Sequence, residues 1–126
     1  MKKNWEIIRT ILIRLEDSDT PNTVINAKDV SEYSEQEVAY NMRLLNEGEF
    51  IEAKILESKN GSGLISIALA TRLTNKGHEL LEIIRNDSVW SKIKNKFKSS
   101  GVDMTFDLVL SIGKNVMKSL LIGIIE

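Results

Sequence analysis

Apolar positions recur at steps of three and four along several stretches of the chain and at steps of two along two others, which separates helices from strands. From about Asn4 to Glu16, Trp5, Ile8, Leu12 and Leu15 repeat at helical spacing with Ile11 beside them, while Glu6, Arg9 and Thr10 fall elsewhere on the wheel. This predicts a first amphipathic helix. Asp17 to Asn22 is polar and holds the only proline, Pro21, so it reads as a connection. Val24-Ile25 is a candidate short strand and Lys28 to Glu32 a candidate single helical turn. Ser34 and Glu37 then form an S-x-x-E capping pattern, which starts a helix at Glu35. Val38, Met42 and Leu45 make a narrow stripe on it, with Gln36, Tyr40, Arg43 and Glu47 on the opposite side. Gly48 is expected to end this helix in the left-handed conformation.

Phe50 to Leu56 alternates with Ile51, Ala53 and Ile55 on one face, and Leu64 to Leu69 alternates with Ile65, Ile67 and Leu69 on one face. Between them Ser58 to Gly63 is a glycine-rich turn with Lys59 near its tip. Thr74 is the expected cap of a further helix burying Leu80, Leu81 and Ile84. Asp87 or Ser88 caps another, in which Val89, Trp90, Ile93 and Phe97 share a side until Ser99-Ser100-Gly101. From about Thr105 to Ile125, Phe106, Val109, Ile112, Val116, Met117, Leu120, Leu121 and Ile124 fill about half the wheel, opposite Asp107, Ser111, Lys114, Asn115 and Lys118. A short capped helix followed by two strands predicts an α+β winged-helix domain over residues 1–98, a helix-turn-helix with a two-stranded wing plus additional C-terminal helices. Residues 99–126 form an amphipathic helix, either part of the same domain or a dimerisation element.

Composition narrows the chemistry. With 126 residues, 42% of them hydrophobic, the chain supports one core. No cysteine and a single histidine leave no basis for a disulfide, a thiolate metal site or a histidine-built one. Glu6, Arg9 and Arg14 interrupt the apolar run that a signal peptide would need after Met1-Lys2-Lys3, and no run approaches the roughly 18 apolar residues of a membrane span. Cytoplasmic residence is the expectation. The net charge of -1 divides into -1, -3 and +3 over residues 1–33, 34–70 and 71–126, so the helix-and-wing segment is the most acidic.

On a winged-helix scaffold, Gln36, Tyr40 and Arg43 are placed to enter a major groove of double-stranded DNA, Arg43 reading guanine or phosphate and Gln36 reading adenine. The competing account is a solvated face, because Glu35, Glu37 and Glu47 on the same helix repel phosphates. Lys59 is a candidate phosphate contact that solubility also explains. Lys92, Lys94, Lys96 and Lys98 make the one basic run. Their stems either cover the Trp90, Ile93, Phe97 stripe or form a phosphate-binding flank. His78 lacks the partner that a general base or nucleophile needs, Gly61-x-Gly63 joins two strands and is no nucleotide loop, and no cofactor or enzyme activity is expected.

The wide apolar arc of the last helix has three accounts: closure of its own core, pairing with a second copy across a two-fold axis, or a membrane surface, the last weakened by having only Lys114 and Lys118. For a homodimer the expected seam is Ile112, Val116, Met117 and Leu120. In stability terms, Leu45→Ala is expected to cost roughly 2 to 5 kcal/mol and Gln36→Ala no more than about 0.5 kcal/mol.

Leu73-Thr74-x-x-Gly77-x-x-x-Leu81 resembles the segment that opens the helix after the wing in many bacterial winged-helix regulators. More specifically, Tyr33-Ser34-Glu35-x-Glu37-Val38-Ala39-Tyr40, Leu44-Leu45, Phe50-Ile51-Glu52-Ala53, Arg72-Leu73-Thr74-x-x-Gly77-His78-Glu79 and Asn86-Asp87-x-Val89-Trp90 together resemble an uncharacterised family common in phages and prophages, domain of unknown function 2513. The resemblance runs over about Trp5 to Lys98 and implies a winged-helix-like fold in a phage or mobile-element setting, with no catalytic residues to carry over. The expected function is DNA binding or transcription regulation. The alternative is a protein-interaction module, an adaptor or inhibitor of a host protein.

Overall fold

The computed structural model describes residues 1–21 and 23–125, the side chains of residues 124 and 125 excepted. Asn22 of the first connection and the Ile124 side chain of the last apolar arc therefore lie outside the described residues. In chain order the elements are α1 (Trp5–Glu16), β1 (Ile25–Asn26), a 3-10 turn (Ala27–Asp29), α2 (Glu35–Glu47), β2 (Ile51–Glu57), β3 (Ile65–Leu73), α3 (Asn75–Ile84), α4 (Asp87–Ser100) and α5 (Phe106–Ile125). The fold is α+β, with five helices and one small antiparallel sheet of order β1-β3-β2 among the described residues. It divides into two compact units, residues 1–78 and 79–126. That division falls within α3, and α4 packs on α5 in the second unit.

In the first unit, α1 starts where the Asn4 side chain accepts the Glu6 and Ile7 backbone N–H groups at 2.9 and 3.2 Å. It buries Ile7, Ile8, Ile11, Leu12 and Leu15, with Trp5 only half-buried at its start. α2 starts where Ser34 Oγ accepts the Glu37 N–H at 3.2 Å and donates its own proton to the Glu37 carboxylate at 2.9 Å. Val38, Met42 and Leu45 are fully buried, as their spacing predicts. One polar residue joins them: Asn41 is wholly buried, accepting the Asn4 N–H at 2.8 Å and donating to the Glu37 carbonyl at 2.9 Å. It thereby fixes the start of α1 against α2, and every part of its amide that is bonded here is protected from the cost of an unmet buried polar group.

The end of α2 differs from expectation. Gly48 is right-handed at φ -79°, and Glu49 takes the left-handed φ of 66°. Gly48 is needed for space: a Cβ there would meet the Phe50 ring at 2.7 Å. The β2–β3 hairpin also departs from simple alternation. Its register slips at Glu52/Ala53 and at Leu56/Glu57, leaving Thr71 and Ser66 as extra residues on β3. Each bulge residue carries a hydroxyl that donates to the neighbouring strand, Thr71 to the Glu52 carbonyl at 3.0 Å and Ser66 to the Leu56 carbonyl at 3.1 Å. Because each bulge reverses which face a residue points to, the buried positions run Ile65, Ala68, Ala70, Leu73. Ile67 is thus turned outward and the expected Ile65, Ile67, Leu69 face does not form.

The Leu73-Thr74-x-x-Gly77 segment clamps the α2–β2 corner. Thr74 donates from its backbone N–H to the Phe50 carbonyl at 3.0 Å and from its hydroxyl to the Glu49 carbonyl, while that hydroxyl accepts the Gly77 N–H at 3.1 Å and so caps α3. Lys76 donates to the Gly48 carbonyl at 3.1 Å, its ammonium 4.7 Å from the Phe50 ring centre. Gly77 is fixed by proximity, since a Cβ there would lie 1.9 Å from the Phe50 carbonyl oxygen.

In the second unit, α4 is capped by Asn86, whose side chain accepts the Val89 N–H at 3.1 Å, and not by the expected Asp87 or Ser88. It buries Val89, Trp90, Ile93 and Phe97 and ends at left-handed Gly101. α5 turns Val109, Leu110 and Val116 inward, with Gly113 lying so close to Ile83 that a Cβ would come within 2.3 Å of it. No helix among the described residues is long and apolar enough to cross a membrane.

Candidate interaction surface

The polar side of α2 proves to be two surfaces. Its edge facing the hairpin is occupied: Gln36 donates from Nε2 to the Ile65 carbonyl at 2.8 Å and accepts the Ile65 N–H at 3.0 Å. Arg43 pairs with Glu57 at 2.9 Å, and Asn46 accepts the Ala53 N–H at 3.0 Å. These side chains hold β2 and β3 against the helix. The solvent-facing arc that remains is Glu37, Tyr40, Leu44 and Glu47, two carboxylates around a half-buried tyrosine and leucine.

The hairpin also exposes apolar side chains. Leu56 and Ile67 are cross-strand partners with 43% and 38% of their surface open, and Leu64 and Val24 are also exposed. β2 is a sheet edge, carrying Glu52, Lys54 and Glu57. Glu52 faces Arg72 at 2.7 Å, and that hydrogen bond, assisted by the arginine's charge, holds the Glu52 carboxyl below its ordinary value. Lys59 stands exposed in the turn, where Gly61 and Gly63 take positive φ and Asn60 accepts the Ser62 N–H.

Every arginine of the first unit lies beside a carboxylate: Arg9 by Glu6 at 3.6 Å, Arg14 by Glu32 at 2.8 Å, Arg43 by Glu57 and Arg72 by Glu52. His78 is exposed at the start of α3, in a hollow of about 390 Å³ formed with Glu16, Asp19 and Arg72 among others. Among the described residues no three histidine, cysteine, aspartate or glutamate side chains group as metal ligands.

The predicted basic run lies on the exposed side of α4. Lys94 sits over the Trp90 ring at 5.5 Å, as a lysine covering apolar surface does, while Lys92 and Lys96 rim a hollow beside α5. Of the seam predicted for a second copy, Val116 is buried and Ile112 half-buried within their own unit, and Met117 and Leu120 are partly exposed. Signals for features missed in the sequence were present: Asn41 on an apolar stripe for the buried bond to α1, and Leu56 and Leu64 flanking the turn for the exposed hairpin.

A family model described as "Hypothetical protein (DUF2513)" matches residues 2–103. The chain belongs to this family. A relative from Haemophilus influenzae, described as "Uncharacterized protein", is 34% identical over 121 residues, covering 96% of this chain and 99% of the relative. No solved structure matches.

Proposed function

We propose that this DUF2513 chain is a winged-helix module of phage or prophage type that works by binding a protein with its α2–hairpin face, without catalysis. The order α1, β1, turn, α2, β2, β3, with β1 beside β3, supports the winged-helix reading, and the Tyr33-to-Trp90 motif set supports the phage setting. One observation carries protein binding over DNA binding. Each arginine of the first unit lies beside a carboxylate, and the presented helix offers Glu37 and Glu47 around Tyr40 and Leu44. Opposed to a phosphate backbone those carboxylates repel; opposed to a basic, partly apolar protein surface they attract.

Capture from nuclease-treated host extract tests this. A specific protein should be retained by the wild type and lost with Tyr40→Arg/Leu44→Arg. DNA binding is the second reading, favoured by exposed Lys59 and by the lysines of α4. Under it, Arg43→Ala and Lys59→Ala should each weaken a gel shift and lower the salt slope by about one. Full DNA affinity in both variants would remove the helix-and-wing face from that reading.

A homodimer belongs to the same proposal, with Met117 and Leu121 as its seam now that Val116 serves its own unit. Leu121, 59% exposed, is the informative position. Leu121→Glu should halve the sedimentation mass without altering circular dichroism, and a wild-type monomer at high concentration would end the idea.

A further inference from the structure

A hollow of about 460 Å³ lies along one flank of the second unit, floored by Ile112, Val116 and Leu120 of α5 and rimmed by Lys92 and Lys96 of α4. Its far edge is Asn115 and Ser119, so no acidic side chain lines it. α5 has 20 residues against 14 in α4, so it is longer by about 9 Å, and Leu120 stays 38% exposed on the same face as buried Val109 and Val116. Lys92 and Lys96 are one helical turn apart, about 6 Å along the axis. We propose that this groove takes an amphipathic helix with acidic flank from a partner protein, its aliphatic face on Ile112, Val116 and Leu120 and two carboxylates spaced i, i+4 meeting Lys92 and Lys96. Charge decides the occupant. A second copy would bring the same two lysines to the rim, and like charges there oppose pairing, whereas the spacing of the lysines matches one turn of an acidic helix. The groove belongs to the second unit and the acidic face on α2 to the first, and the proposal does not rest on that face.

The test uses the full chain and two fluorescein-labelled synthetic helical peptides with leucines at i, i+3, i+4 and i+7, one carrying glutamates at an i, i+4 flank and the other lysines there. Fluorescence anisotropy should show the glutamate peptide binding more tightly by about tenfold, as two ion pairs at a groove rim allow, with the preference shrinking as salt rises. Lys92→Glu/Lys96→Glu should reverse the preference, and Lys92→Gln/Lys96→Gln should abolish it with folding intact by circular dichroism. Leu120→Asp should weaken both peptides. Equal affinities for the two peptides, or a preference that survives the lysine substitutions, overturns the proposal. So does absence of peptide binding together with a dimer that Leu120→Asp converts to monomer, which assigns the groove to a second copy.

Discussion

Gly77→Ala should destabilise the first unit by about 3 kcal/mol or more, the upper range of overpacking effects, because the obstacle is backbone. The added Cβ would sit 1.9 Å from the Phe50 carbonyl oxygen, which already accepts the Thr74 N–H. Relief requires moving either the α2–β2 corner or the first turn of α3. Moving the corner also strains Glu49, held at positive φ, and the Thr74 and Lys76 hydrogen bonds to Glu49 and Gly48. Gly61→Ala is the matched control: it also replaces a glycine, at φ 76° with nothing near the new Cβ, and should cost about 1 kcal/mol for the left-handed backbone alone. Urea midpoints followed by circular dichroism compare them. If the two variants unfold at the same midpoint, the clamp is not what requires Gly77.

This clamp explains why a motif can be plain in sequence and silent about activity. Leu73-Thr74-x-x-Gly77 reads at once as a helix opening, since a threonine followed three residues later by a backbone donor is a local cap. Its other half, the contact to Gly48, Glu49 and Phe50, is distant in sequence and appears only when the corner is folded against it.

The same division between local and distant signals runs through the rest of the fold. Caps at Ser34 and Thr74, the stripe of Val38, Met42 and Leu45, and the turn at Asn60-Gly61 depend on neighbours within a few residues, and they were legible. The hairpin faces were not, because Ser66 and Thr71 are ordinary strand residues until their hydroxyls settle on Leu56 and Glu52 carbonyls and shift the phase. α5 shows a third limit: a helical wheel counts apolar side chains but not the length of what covers them. Val109, Val116 and Leu120 share a face, yet only the first two are covered.

The candidate surface was legible as residues and not as roles. Gln36, Tyr40 and Arg43 do share a side of α2, but a wheel gives an angle and cannot say what stands opposite. Ile65 and Glu57 stand opposite two of them, supplied by the hairpin. What sequence alone assigns to base reading is thereby used to hold strands, and the outward arc is left acidic.

Leu45→Ala and Gln36→Ala turn that distinction into a measurement. Leu45 is fully buried on the inner stripe, so its truncation should cost roughly 2 to 5 kcal/mol through lost transfer energy and the cavity left behind. A solvated Gln36 would be near neutral, yet its amide satisfies both the N–H and the carbonyl of Ile65 in a part-buried setting. Gln36→Ala leaves two backbone groups at the base of β3 without partners and should cost about 1 to 3 kcal/mol. Gln36→Glu keeps an acceptor for the Ile65 N–H but sets a carboxylate oxygen where the amide donates to the Ile65 carbonyl, so two acceptors oppose each other and it should cost at least as much as Gln36→Ala. Chemical denaturation should place Leu45→Ala and both Gln36 variants below wild type. A Gln36→Ala midpoint equal to wild type would return that side chain to solvent and with it to the pool of groups free to touch DNA.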